Sequence, residues 1–214
     1  MQTITLVDVL PRVFADDSIP PSEVWRGDLS LRKGDVCLVE AASGGGKSSM
    51  CSFLFGARED YLGRILFDGR DIRTLSMDEW LATRRTSLAY LPQELSLFSG
   101  LTAMENIRLK NDLTRHVPES RIGEWMERLG IADRRDWPAG RMSVGQQQRV
   151  AIIRSLCQPF DFILLDEPVS HLDPANNDVA AALVAEEAAR QGAGVISTSV
   201  GNHLHLNYNR RLRL

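Results

Sequence analysis

Val36-Cys37-Leu38-Val39-Glu40-Ala41-Ala42-Ser43-Gly44-Gly45-Gly46-Lys47-Ser48-Ser49-Met50 is the stretch on which the fold turns. Its first five residues, entered through the turn Lys33-Gly34-Asp35, are β-branched and nearly continuously apolar, as in a strand buried on both faces. From Ser48 onward Met50, Phe53 and Leu54 fall at helical spacing and lead to Gly56. The order is strand, glycine loop, helix. Such a loop lets backbone N–H groups converge on an anion, and the helix dipole adds to the attraction, so phosphate is the natural ligand. Ser43, Gly44, Gly45, Gly46 and the first-turn residue Ser49 are the candidate cradle. Lys47 would reach β and γ phosphates as a point charge, and the Ser48 hydroxyl would complete a Mg²⁺ shell. The strict pattern G-x-x-x-x-G-K-[ST] fails at its first position, which is Ala41, while Gly44, Gly45 and Gly46 keep the inner turn permissive.

Downstream, the apolar run Phe160 to Leu165 delivers Asp166 and Glu167 to the carboxyl end of a second strand, where ligands of open α/β sheets bind. One carboxylate can hold Mg²⁺ through water, and the adjacent one can orient or deprotonate an attacking water. Around these two strands lie an alternating strand from Thr3 to Val7, a turn region at Pro20-Pro21, and a strand-like stretch from Trp25 to Leu31. A hairpin over 63–75 turns at Asp68-Gly69. The stretch 77–157 reads as helical, with Trp80, Leu81, Ile107, Leu109, Trp125, Met126 and Leu129 among interleaved charges. An alanine-rich helix over about 175–190 and a strand from Gly194 to Thr198 follow. Strand–helix–strand alternation implies an α/β fold with a parallel sheet and an inserted helical lobe. The boundaries expected are one domain over 1–214, with 1–76 and 158–214 as core and 77–157 as helical subdomain.

The 214 residues are 43% hydrophobic and 25% charged, an ordinary globular composition that excludes disordered, collagen-like and disulfide-scaffold chains. With 25 basic against 28 acidic residues the net charge is −3, so no cationic field announces nucleic acid, and none is expected as a partner. Only Lys33, Lys47 and Lys110 are lysines, which makes one inside a glycine cluster conspicuous. Cys37, Cys51 and Cys157 stand at unrelated spacings and read as reduced core thiols of a cytosolic protein. No signal peptide and no membrane span are expected, so membrane association would come through a partner.

Met142-Ser143-Val144-Gly145-Gln146-Gln147-Gln148-Arg149 makes the reading specific. The chain resembles the nucleotide-binding subunit of ATP-binding cassette (ABC) ATPases, whose signature L-S-G-G-Q precedes a basic helix. Ser143, Gly145, Gln146 and Arg149 match, whereas Met142 and Val144 depart. Physically, Ser143 and the helix start offer a hydroxyl, free N–H groups and a positive dipole end, a second phosphate site that is also an ordinary N-cap. The resemblance implies a P-loop NTPase-type core with an N-terminal antiparallel β part. It makes Leu91-Pro92-Gln93 the Q-loop, with Gln93 sensing Mg²⁺ and the attacking water, and Ser170-His171-Leu172-Asp173 the D-loop. An aromatic near the start would stack on adenine, Phe14 first and Trp25 second. After the strand near Thr198 the family carries a threonine–histidine pair, and here Ser199 takes the histidine's place. Serine offers no charge-assisted bond to a transferring phosphoryl group, so slow hydrolysis is implied. His203 and His205 are expected to be carried away from the phosphate.

The segment Gln93 to Leu109 looks most like the small ATPases of the lipoprotein-release, macrolide-export and cell-division group. What the resemblance implies is an ATP- and Mg²⁺-dependent ATPase. It would pair as a homodimer or with a related subunit around two ATP, and drive an integral membrane permease from the inner face of the cell membrane. Two rivals are a non-transport ABC ATPase acting on DNA or ribosomes and a weakly catalytic regulatory cassette.

Overall fold

The computed structural model describes residues 1–15 and 21–214; Pro20 of the expected turn lies outside the described residues. Two sheets form the chain. β1 (Thr3–Pro11), β2 (Asp28–Arg32), β4 (Tyr61–Phe67) and β5 (Arg70–Asp71) make an antiparallel sheet in the order β2-β1-β4-β5. β3 (Val36–Glu40), β6 (Leu88–Leu91), β7 (Phe162–Leu165), β8 (Gly194–Ser199) and β9 (Arg210–Arg213) make a parallel sheet in the order β6-β7-β8-β3-β9. All its ladders are parallel, so every carboxyl end opens on the same edge. Register fixes the level: Glu40 lies opposite Ser199, and Leu165 opposite Ser197 and Leu91.

The central strand β7 is wholly apolar, as burial on both faces requires: Phe162, Ile163, Leu164 and Leu165 are all buried. α1 (Lys47–Leu54) follows β3, and α6 (Pro174–Gln191) crosses between β7 and β8. α6 begins with an Asp173 cap and Pro174 in its first turn, and ends on left-handed Gly192.

The expected helical stretch 77–157 is interrupted. Leu88-Ala89-Tyr90-Leu91 form β6, an edge of the parallel core, rather than helix. Four apolar residues between Ser87 and Pro92 are too short to show a helical period, and pairing with β7 decides their state. α2 (Met77–Thr86) precedes β6, while α3 (Ala103–Asn111), α4 (Glu119–Arg128) and α5 (Val144–Leu156) come after it. α2, α3 and α5 each open with a capping box, at Ser76, Thr102 and Ser143. Ile107, Trp125, Met126, Leu129, Ile153 and Leu156 fill the core beneath them. The strand expected from Trp25 begins at Asp28 instead, because Trp25 sits in a turn beside left-handed Arg26. Cys37, Cys51 and Cys157 are buried free thiols, and no helix of the described residues is long and apolar enough to cross a membrane.

The β1–β4 pair carries a bulge at Asp8 and Val9, where the register shifts between Val7 and Leu10. The bulge re-aims the end of β1 and hence Phe14, which lies in the 3₁₀ turn Arg12–Phe14 immediately after it. Gly63 makes it possible: its φ is +78°, and a Cβ there would lie 2.2 Å from the Asp8 carbonyl oxygen. Gly63→Ala is therefore expected to cost about 2–3 kcal/mol and lower Tm by about 5–10 °C in a thermal melt. An unchanged Tm would show that the bulge can relax around a methyl group.

Candidate active site

The glycine loop between β3 and α1 is shaped by contacts that admit no side chain at two positions. A Cβ on Gly45 would stand 2.8 Å from the Ala41 methyl, and one on Gly46 (φ +93°) about 3.1–3.2 Å from the rings of Trp25 and Phe14. Ala41 is thus accommodated because position 45 is glycine: the methyl group occupies the space above it. Gly46 caps α1 without a side chain, and Met50 is the first amide bonded back to the loop, to the Gly46 carbonyl at 2.8 Å. The amides of Lys47, Ser48 and Ser49 therefore have no intrahelical acceptor, and they carry the positive end of the helix dipole.

Lys47 is 4% exposed. Its ammonium donates to the carbonyls of Ala41 (3.3 Å) and Ala42 (3.2 Å) and faces Glu167 Oε1 at 3.6 Å. A buried ammonium needs such oxygen partners, since desolvation without them is costly. Ser48 Oγ donates to Gln93 Oε1 (3.3 Å), and Gln93 Nε2 reaches Glu167 Oε2 at 3.5 Å. These long bonds link residues brought together from the start of α1 and the loops after β6 and β7. Asp166 is buried, and its Oδ1 accepts from Thr198 Oγ1 at 2.8 Å; the same hydroxyl oxygen accepts from the Glu167 amide at 3.1 Å. Glu167 has φ +49°, a left-handed conformation that costs a non-glycine residue energy and persists only when its surroundings hold it. Thr198 is one of those holds. Sequence reading placed it merely at a strand end; its signal was a hydroxyl on the strand beside the acidic pair.

The remaining expected residues divide. Ser49 Oγ accepts from Arg58, so that hydroxyl is turned to the surface while its amide stays in the helix start. Ser199 is buried and its hydroxyl donates to the Asn202 carbonyl at 2.7 Å, which engages it in the turn after β8 rather than with Lys47 or Glu167. His205 pairs with Asp178 at 2.6 Å, and the His203 carbonyl accepts from Asn177, so both are bound to α6. A cavity of about 260 Å³ beside the loop is lined by Phe14, Trp25, Ala42, Ser43, Gly44, Gly45 and Leu214. Trp25 is buried and donates its indole N–H to the Gly45 carbonyl (3.3 Å), acting as a pillar under the loop, while half-buried Phe14 stands at the mouth. Leu214 was not among the sequence candidates. Ser143, Gly145 and Gln146 lie elsewhere, at the start of α5. There Ser143 and Gln146 bond each other, at 3.2 and 2.9 Å, and a Cβ on Gly145 would meet the His171 carbonyl at 2.8 Å.

For a hard cation the donor chemistry fits. Ser48 and Gln93 already bring two oxygens together, Asp166 and Glu167 follow on the adjacent strand, and Mg²⁺ takes one or two carboxylates with phosphate and water oxygens. Among the described residues no three His, Cys, Asp or Glu side chains form an all-protein metal cage.

A glycine loop at a helix start after β3, with an acidic pair at the carboxyl end of β7 two strands away in the same parallel sheet, defines the class of P-loop nucleotide-binding ATPases. The profile of the family described as "ABC transporter" matches residues 26–170. The methionine import ATP-binding protein MetN of Haemophilus ducreyi is 35% identical over 173 residues, 79% of this chain and 50% of that protein, so the chain spans half the length of this relative. The lipoprotein-releasing system ATP-binding protein LolD of Novosphingobium aromaticivorans is 32% identical over 196 residues, covering 90% and 88% of the two chains. Among solved structures, the dimeric bacterial ABC transporter cassette MJ0796 superposes with a TM-score of 0.75 at 26% identity, over 92% of this chain and 87% of that one. The chain belongs to the ABC transporter family, as an ATP-binding cassette.

Lys47→Ala removes the one lysine of the loop and strands Glu167 without its cation. ATP affinity measured by calorimetry is expected to fall about 100-fold or more. Equal affinity in variant and parent would overturn the phosphate-loop assignment.

Proposed function

We propose that the chain binds and hydrolyses Mg²⁺–ATP as the motor subunit of a membrane transporter. The observation that carries this reading is the convergence of Lys47, Ser48, Gln93, Asp166 and Glu167 on one sheet edge, next to the cavity that Phe14 overlooks. The adenine ring stacks on Phe14, which needs only a flat π surface. The β and γ phosphates sit on the amides at the α1 start, with Lys47 leaving the Ala41 and Ala42 carbonyls to meet them. Ser48, Gln93 and Asp166 would hold Mg²⁺, which when bound would supply positive charge to the phosphate oxygens. Glu167 then exchanges its Lys47 contact for a water, which it orients or deprotonates for in-line attack on the γ-phosphorus, while the bond from that phosphorus to the β–γ bridging oxygen breaks and ADP leaves. Ser199, with its hydroxyl engaged by Asn202, adds no cation to the transition state, so turnover is slow while still dependent on Glu167.

Two chains cooperate. Ser143 is exposed and Val144 is 49% exposed at the capped start of α5, a polar helix N-terminus facing outward. A second copy, or a related subunit, presents this segment to the γ-phosphate bound on the first chain's glycine loop. ATP binding closes the pair and hydrolysis releases it. The helical insertion, which we place at 94–157 rather than from 77, passes the motion to an integral membrane permease at the inner face of the membrane.

Glu167→Gln is expected to retain ATP binding and to lose at least about 100-fold in kcat, so that an ATP-bound dimer accumulates in size-exclusion chromatography with light scattering. A variant that stays monomeric at saturating ATP while the parent dimerises would argue against the sandwich. In mixed dimers holding one intact glycine loop, Ser143→Arg on the opposite chain is expected to suppress hydrolysis there by about tenfold or more. Full activity in that arrangement would contradict a shared site.

A further inference from the structure

The signature helix α5 begins with three glutamines after Gly145, and their amides do three different things. Gln146 closes the capping box on Ser143, and Gln147 Nε2 returns to the Met142 carbonyl at 2.9 Å. Gln148 leaves the helix altogether. It is 1% exposed, and its Nε2 donates to the Pro168 carbonyl at 2.5 Å, with the Glu167 carbonyl and Ser170 Oγ each at 3.5 Å. Its Oε1 accepts the His171 amide at 2.9 Å. Donor and acceptor of one buried primary amide are thus both bound to the main chain just beyond the catalytic glutamate.

We propose that Gln148 is a positioning residue for Glu167, joining the start of the signature helix to the water-orienting carboxylate of the same chain. Left-handed backbone at Glu167 is strained, and such a conformation survives only where neighbours over-determine it. Thr198 holds the Glu167 amide from β8 on one side. Gln148 holds the chain from Pro168 to His171 on the other, and no other side chain of α5 reaches the carbonyl of Pro168 among the bonds of the described residues. Gly145, one turn earlier, lets the α5 backbone rest directly against the His171 carbonyl, so helix and loop meet without an intervening side chain.

The consequence rests on the function proposed above. The exposed end of α5 is the part that meets nucleotide bound to a second chain, and Gln148 lies five residues along from Ser143 on the same rigid helix. A shift of α5 on capturing that nucleotide is therefore handed through two hydrogen bonds to the backbone that sets Glu167. ATP at one site thereby adjusts the carboxylate of the other. A misplacement of that carboxylate affects the chemical step and leaves phosphate binding on the α1 loop intact.

The test is steady-state ATPase kinetics of the full chain with Mg²⁺–ATP, together with hydrogen exchange of the His171 amide. Gln148→Met keeps the side-chain length and packing but loses both bonds. It is expected to lower kcat by about tenfold or more with KM within about twofold of the parent, and to speed His171 exchange by a similar factor. Gln148→Asn, with the same amide one methylene short, is expected to fall in the same direction by a smaller factor. A raised KM with unchanged kcat, or equal kcat in all three proteins, overturns the positioning role while leaving the ATPase reading in place. A parent chain that neither binds nor hydrolyses ATP overturns that reading, and this role with it.

Discussion

Burying the Lys47 ammonium organises the whole carboxyl edge of the parallel sheet. With 4% of its surface exposed it has to find oxygens inside the protein, and it finds the Ala41 and Ala42 carbonyls and the Glu167 carboxylate. Those carbonyls turn inward only because the loop folds back on itself, which in turn requires Gly45 beneath the Ala41 methyl. Glu167 reaches the ammonium only from a left-handed backbone, which Thr198 and Gln148 hold from opposite sides. The site is thus assembled around its own internal ion pair, in which a carboxylate of the protein compensates the ammonium.

A second buried charge ties the helical insertion to the core. Glu187 on α6 is fully buried, yet it meets Arg121 of α4 at 3.1 Å, Arg190 at 2.5 Å and His116 at 3.6 Å. At the neighbouring exposed position Arg128 grips Glu186 with two bonds of 2.7 Å. Paired buried charges contribute little net stability compared with an apolar contact, but they tolerate only one arrangement, so they fix the register of α4 on α6. Burial and the neighbouring Arg190 charge push the His116 pKa down, outweighing Glu187, which leaves the arginines as the principal cations of the cluster. The helical insertion and the helix behind the acidic pair are consequently in contact through directional bonds.

Departures from the family pattern are absorbed locally and differently. Ala41 is sterically compensated by Gly45, whereas Val144 projects from the first turn of α5 without disturbing the Ser143–Gln146 capping box. Ser199 is shorter than the residue it stands for and folds its hydroxyl back onto Asn202. The cradle survives because it is made chiefly by backbone groups, and the cap because Ser143 and Gln146, whose side chains make it, are both retained; a contact supplied by a side chain does not survive its replacement.

Local order carried much of this into the sequence. The apolar run 36–40, the three glycines and the acid pair after 162–165 are each contiguous, and their states follow from periodicity, turn chemistry and burial within a few residues. That is why the phosphate loop, the Asp166–Glu167 pair and the capped signature helix were all legible. The tertiary structure alone decided that residues 88–91 are a strand, since four apolar residues have no period of their own and β7 supplies the missing partner. Likewise Thr198 under Asp166, Gln148 beneath the 167–171 loop, Leu214 beside Ala42 and Gln93 against Ser48 are meetings of residues far apart in the chain. Nothing in a local pattern specifies the strand order β6-β7-β8-β3-β9, and it is this order that sets which side chains share the edge.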